Sequence, residues 1–315
     1  MSGIRKLPYK SYLALNRSLK FLETAQVKDY KLPLSNPPVF ILGAPRCGST
    51  LLYQSLVASL NFSYFSNRHC FWFGMPWFIE KITESGSDYR KNPDFNSRLG
   101  TTDGELSPAE CGEFWYRFYS REPQYWKAEG LSSQKTKELR TALHAFSLHS
   151  SSPLLIKNLV NVLRLESLVK VVPEAKFIIV HRNPLDIAHS ILSARMKQSG
   201  SYSSWFSLKP EGWQSWLDLG PEVQVVNQIK AVYDQINSVE ESTNQFDAFH
   251  LNYEDFCKSP NEMTSRIQSF LADKNINIEK VADLPDSFPI RTKVTIDESL
   301  YKSLKSYLSE HPISK

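Results

Sequence analysis

The sequence predicts an α/β fold, a central parallel β-sheet flanked by helices and interrupted by two long insertions. Three observations point there. Apolar strand-like runs recur at VFILG (39–43), PLLIKN (153–158), AKFIIVHR (175–182) and DAFHLNY (247–253). Helical periodicity follows them, at 161–171, 185–196 and 260–271 among others. The chain's 315 residues, 41% hydrophobic and 22% charged, suffice for a large core of ordinary composition. Strands alternating with helices form parallel sheets because each crossover helix buries its apolar stripe on the sheet.

In chain order, the N-terminus (MSGIRKLPYKSYLALNRSLKFL) carries apolar residues at helical spacing broken by Lys and Arg. It lacks the continuous apolar segment and small-residue cleavage site of a secretion signal, and no run approaches bilayer-spanning length. A basic amphipathic helix of this kind leaves peripheral membrane contact open, but packing on its own domain is the expectation. KLPLSNPP (31–38) reads as a proline-punctuated linker, and FSYFS (62–66) as a fifth strand.

Residues 68–150 break the strand–helix rhythm with a dense aromatic set, and a second set (Trp205, Phe206, Trp213, Trp216) lies in another irregular stretch. All seven tryptophans fall in these two insertions. One domain is therefore expected, with an N-terminal helix and linker (1–38), a nucleotide-binding core (39–66 and 153–260), insertions (67–152 and 197–245) and a helical C-terminal segment (261–315).

The net charge of +4 suits a local anion site rather than a basic track for nucleic acid. Cys47, Cys70, Cys111 and Cys257 lie far apart with no C-x-x-C pair, so neither a zinc site nor a disulfide framework is expected. A reduced, cytoplasmic setting fits them.

The chemistry concentrates in ILGAPRCGST (41–50). A strand enters Gly43, four residues intervene, and Gly48, Ser49 and Thr50 open a helix. The loop thus resembles the nucleoside-triphosphate loop G-x-x-x-x-G-K-S/T, except that Ser49 stands where that loop has lysine. Unpaired amides at a helix N-terminus cradle phosphate, and Arg46 adds a forked cation inside the loop. The strand AKFIIVHR ends in His181 and Arg182, where a triphosphatase would carry a magnesium-binding aspartate. Ser190 follows two turns into the next helix, where with Arg182 it can close on a second phosphate, unless Arg182 merely pairs with Asp186. Two anion sites without the lysine or the acid suit a nucleotide phosphorylated at two places on its ribose.

These segments resemble the sulfotransferase family. ILGAPRCGST is similar to its 5′-phosphosulfate loop and HRNPLDIAHS to its 3′-phosphate motif. The stretch LLIKNLVNVLRLESLVKVVPEAKFIIVHRNP runs like the bacterial and tyrosylprotein branches, and HLNYEDFCKSP resembles their Y-E-D segment. The resemblance covers 39–66 and 153–260. It implies a P-loop-type sheet, 3′-phosphoadenosine 5′-phosphosulfate as donor without a metal, and insertions that form the acceptor site. It also implies that Arg46, Cys47, Gly48, Ser49, Thr50 and Leu51 hold the 5′ group, Arg182 and Ser190 the 3′-phosphate, and that Tyr253 lies near adenine. Lys157 aligns with a lysine that approaches the sulfate, and Arg195 stands one position out of register with another family arginine. For the base the candidates are His69 in SNRHCFW and its rivals Glu110 and Glu113 in SPAECGEFW. A small-molecule or glycan acceptor is implied; aromatic insertions suit a carbohydrate hydroxyl, the leading expectation, and a phenol, lipid alcohol or peptide tyrosine fits an aromatic pocket equally. The alternatives are a P-loop kinase or nucleotide hydrolase, marked by magnesium-dependent turnover, and a non-catalytic module that binds adenosine phosphates without transfer.

Overall fold

The computed structural model describes residues 8–20, 34, 36–83, 89–127, 130–150, 152–290 and 293–313. Its strands are β1 (Val39–Gly43), β2 (Ser63–Tyr64), β3 (Leu154–Lys157), β4 (Lys176–His181) and β5 (Asp247–Asn252). All pair in parallel, in the order β2-β3-β1-β4-β5. Every residue of β1 is buried, as expected of a central strand covered on both faces. Val39 lies opposite Leu155 of β3 and Lys176 of β4, and His181 opposite Asn252 of β5. The chain leaves β1 toward β2 and β3, then crosses to β4 on the other side. That reversal opens a crevice at the carboxyl end of β1, where ligands of such sheets gather.

The helices are α1 (Tyr9–Leu19), α2 (Ser49–Ser59), α3 (Asn67–Phe71), α4 (Pro76–Thr83), α5 (Gly112–Trp115), α6 (Ser133–Ser150), α7 (Leu165–Val171), α8 (Pro184–Ser199), α9 (Pro221–Ser242), α10 (Tyr253–Lys258), α11 (Pro260–Asp273) and α12 (Glu298–Glu310). Local signals fix the ends of α8: the Asn183 side chain accepts from the Leu185 amide, Pro184 begins the helix, and Gly200 ends it at φ 72°. The helix expected over 161–171 divides into a 3-10 segment, Leu159–Arg164, followed by α7. Asn158 starts that tight segment by accepting from the Val160 amide, while its own amide donates to the Glu110 carbonyl at 3.1 Å.

Most rings of the first insertion are core. Trp115 is fully buried and sits 5.9 Å from Phe40 of β1, and Phe114 lies 4.9 Å from Phe65. Trp205 packs on Trp213 and Trp216, centroid to centroid 5.0 and 6.2 Å. Such rings stabilise the long loops through burial, about 2–3 kcal/mol for each one fully removed from water.

The N-terminal helix packs on the domain. Asn16, fully buried, accepts from the Gly74 amide at 3.0 Å, and the Tyr12 hydroxyl donates to the Phe71 carbonyl at 2.7 Å. A Cβ at Gly74 would stand 1.9 Å from the Asn16 carbonyl oxygen, so only glycine permits this approach. No helix among the described residues is long and apolar enough to cross a membrane. Of the expected linker, residues 31–33 and 35 lie outside the described residues, while Leu34 is buried.

Candidate active site

The loop after β1 holds its shape through left-handed backbone at two positions, Arg46 (φ 69°) and Gly48 (φ 98°). The Cys47 amide donates to the Ala44 carbonyl at 3.2 Å, and helical bonding begins with the Leu52 amide on the Gly48 carbonyl. The amides of Thr50 and Leu51 therefore have no acceptor inside α2, while that of Ser49 donates to the buried Cys47 sulfur. Cys47 contributes backbone only, because its thiol is fully buried and burial pushes its pKa up.

Gly48 is also the floor of a close approach. A Cβ there would lie 2.1 Å from Cδ2 of Tyr253, so the tyrosine ring rests on the loop itself. Tyr253 follows β5 directly, and Arg182 follows β4; the Arg182 guanidinium lies 4.8 Å from the Tyr253 ring centroid. Arg182 donates to the Arg46 carbonyl at 3.0 Å, and Arg46 Nε donates to Ser190 Oγ at 3.1 Å. Arg46, Arg182, Ser190 and Tyr253 thus meet at the carboxyl ends of β1, β4 and β5. Two separate pockets were expected, Arg46 serving one and Arg182 with Ser190 the other. Instead the Arg46 side chain crosses to Ser190, because left-handed backbone at Arg46 turns it toward α8.

The second cluster stands across α2, at the end of β3. The Lys157 side chain is 2% exposed, and its ammonium donates to Thr50 Oγ1 at 3.1 Å and ion-pairs with Glu110, itself 38% exposed. A buried lysine needs such partners, since unpaired burial costs the charged form several kcal/mol. A Cβ built on Gly100 (φ +90°) would lie 3.7 Å from Thr50 Oγ1 and 3.9 Å from both Lys157 Nζ and Glu110 Oε1. Four chain segments, at 50, 100, 110 and 157, therefore enclose one point. Sequence reasoning missed Gly100 and Asn158. Gly100 lies in an unremarked turn (SRLG, 97–100), and Asn158 acts through its hold on the Glu110 carbonyl.

Three other candidates occupy different surroundings. His69 has no exposed surface and closes a capping box at α3, its Nδ1 accepting from the Ser66 amide at 3.0 Å. Its Nε2 lies 3.2 Å from the Glu80 carboxylate, and its ring packs 5.3 Å from that of Phe146. Neither nitrogen of His69 is open to an acceptor, which corrects its choice as the leading base. Glu113 pairs with Arg121 and accepts from the Tyr9 hydroxyl at 3.0 Å, strapping α1 to α5. Arg195 is 1% exposed; it donates to the Tyr202 carbonyl and to Gln224 Oε1, at 3.1 and 2.8 Å. Burial lowers its pKa to about 10, and it ties α8 to α9 rather than joining the anion cluster.

Glu254, one of two acids just after β5, accepts from the Asn183 amide at 3.1 Å. Among the described residues no group of three or more His, Cys, Asp or Glu side chains is placed to hold a metal ion.

Residues 37–272 match the sulfotransferase family. Among solved structures, sulfotransferase STF9 from Mycobacterium avium aligns with TM-score 0.54 at 15% identity, over 96% of this chain and 75% of its own. Sulfotransferase STF1 from Mycobacterium tuberculosis aligns with TM-score 0.53 at 13% identity, over 96% and 80%. At those identities the likeness concerns the fold. No curated protein sequence matches the chain.

Proposed function

Because the chain belongs to the sulfotransferase family, we propose that it moves a sulfuryl group from 3′-phosphoadenosine 5′-phosphosulfate to an acceptor hydroxyl, and that the acceptor is a carbohydrate. One observation carries this reading: Lys157 and Glu110 meet beside Thr50, at the mouth of a phosphate loop whose other flank holds two arginines.

The residues fit the donor's charges. A nucleotide with anionic groups at both the 5′ and 3′ positions needs two cationic contacts. Helix amides 50 and 51 with Lys157 supply one, and the Arg46–Ser190–Arg182 cluster the other. Glycine at 48 lets the Tyr253 ring pack directly on the loop, which sets the ring beside the Arg182 guanidinium. The donor supplies an activated sulfuryl group joined to a phosphate oxygen.

In the reaction an acceptor oxygen bonds to sulfur as the bond from sulfur to that phosphate oxygen breaks. The acceptor's proton passes to the Glu110 carboxylate, and the ammonium of Lys157 faces the charge growing on the leaving oxygen. Glu110 replaces His69 as base because its carboxylate is partly exposed and adjacent to Lys157, whereas the imidazole is enclosed.

Glu110→Gln is expected to lower kcat by roughly 100-fold or more and to remove the rise of rate with pH, since the amide takes up no proton. His69→Ala is expected to lower the melting temperature and keep that rise. A pH profile of kcat/KM for both variants decides between them; a persisting limb in Glu110→Gln returns the base to another group.

Gly48→Ala gives the second expectation. Its methyl group would enter the Tyr253 ring at a backbone angle that L-residues avoid. Calorimetry should show nucleotide affinity reduced at least about tenfold, the ring or the loop having to shift. Unchanged affinity would remove the loop from the nucleotide site.

The acceptor class is tested by transferring labelled sulfate to oligosaccharides, lipid alcohols, phenols and tyrosyl peptides. Activity confined to phenols ends the carbohydrate proposal and leaves the donor assignment standing.

A further inference from the structure

The segment that brings Gly100 to the reacting centre continues as the wall of a separate cavity. This cavity, about 460 Å³, lies between residues 102–105 on one side and Asn67, Arg68, Phe71 and Trp72 on the other. Its volume is that of a small-ligand pocket. Thr102 stands two residues from Gly100, and two residues span at most ~7 Å. The cavity wall and the segment that reaches the point enclosed by Lys157, Thr50 and Glu110 therefore belong to one short stretch of chain.

The lining is mixed in a way that selects its occupant. Phe71 and Trp72 are half-buried and set edge to face, 5.2 Å between centroids, so part of their aromatic surface meets the cavity. Around them stand the guanidinium of Arg68 and the carboxylates of Asp103 and Glu105. A sterol or simple phenol would cover these charged groups without satisfying them, at a desolvation cost. A pyranose offers C–H faces to an indole ring and hydroxyl donors to carboxylates at its edge. Arg68 pairs with Glu105 at 2.8 Å, which leaves the exposed Asp103 carboxylate as the excess charge. That excess opposes a uronate or an already sulfated unit.

The walls are braced independently of any ligand. Asn67 Nδ2 donates to the carbonyls of Thr102 and Gly104 at 2.9 and 2.8 Å, and the Arg68 amide donates to the Glu105 carbonyl at 2.8 Å. On the far side Tyr12 of α1 packs on Phe71, 5.4 Å between centroids, and bonds its carbonyl. Such preorganisation lowers the ordering cost of binding.

From this cavity we infer a second sugar subsite: it takes the uncharged ring next to the one that is sulfated, stacked on Trp72 with hydroxyls donated to Asp103. The inference rests on the carbohydrate reading above and adds that the acceptor is an oligosaccharide, neutral at that unit. The test measures dissociation constants by saturation-transfer NMR on full-length enzyme with 3′-phosphoadenosine 5′-phosphate present. The probes are neutral gluco-, galacto- and manno-tetrasaccharides, their methyl monosaccharides, and tetragalacturonate. The wild type should bind at least one neutral tetrasaccharide, more tightly than the monosaccharide and than the uronate. Trp72→Ala and the surface change Asp103→Ala should each weaken that binding tenfold or more, with KM for the same acceptor rising in step.

Equal tetrasaccharide affinity in wild type and both variants overturns the subsite. So does failure of every neutral tetrasaccharide to bind. Sugar sulfation that neither variant disturbs overturns the subsite and leaves the carbohydrate reading intact. Binding that depends on Trp72 and Asp103, with sulfate transferred only to other acceptor classes, shows a sugar site in the cavity but overturns its role as an acceptor subsite and ends the carbohydrate reading.

Discussion

Arg182→Ala is expected to reduce affinity for 3′-phosphoadenosine 5′-phosphate by about 100-fold, since two charge-assisted bonds to a phosphate amount to roughly 3 kcal/mol. The guanidinium is held ready for this by the Tyr253 ring beneath it and the Arg46 carbonyl beside it. Arg46, whose carbonyl it holds, reaches Ser190 with its own guanidinium. Adenosine 5′-phosphosulfate, which lacks the 3′-phosphate, should lose much less when the same substitution is made. Arg182→Lys should fall between, keeping a charge but losing the planar fork. Calorimetry on the two nucleotides separates the roles. Equal losses for both would mean that Arg182 acts only by bracing the Arg46 carbonyl.

The largest effect on turnover is expected from Lys157→Ala, a fall in kcat of about 100- to 1,000-fold, the range seen when one preorganised donor to a developing charge is removed. Nucleotide affinity should change far less, because the loop amides and the two arginines remain. The substitution also strips Glu110 of its ion-pair partner and Thr50 of its donor, so a melting curve must accompany the rates. Lys157→Arg is the companion variant: it keeps the charge, and its bulk must fit a side chain that is 2% exposed. Full turnover in Lys157→Ala would reduce the lysine to a support for residue 110.

Much of the nucleotide side was legible in order along the chain. The strand VFILG, the Gly43 and Gly48 spacing, and the strand end at Arg182 are local patterns. Their geometry follows from backbone sterics and helix ends within a few residues. Ser190 was reachable too, being two turns into a helix whose start Asn183 and Pro184 announce. The crossing of Arg46 to Ser190 was not, because 144 residues separate them and only the pairing of β1 with β4 brings α8 beside the loop.

The base shows the limit most clearly. His69 and Glu110 both stand in aromatic, irregular stretches with nothing in their neighbours to say which faces the ligand. Residues 66 and 108 pair as an antiparallel bridge, which turns the imidazole into the packed interior toward Glu80. Glu110 meanwhile is carried to Lys157 by Asn158, at the end of a strand 47 residues away. The tryptophans likewise looked uniform in the sequence, yet Trp115 lies sealed against β1 while Trp72 keeps a face on the cavity. By itself the sequence determined the sheet's strands, the Gly-rich loop between β1 and α2 and the arginine at the end of β4, since each is set by contacts within one strand–loop–helix unit. Only the tertiary structure decided which acid meets Lys157, which rings stay open and where the cavity beside Trp72 lies, because burial and pairing at those sites come from segments the chain brings together across long loops.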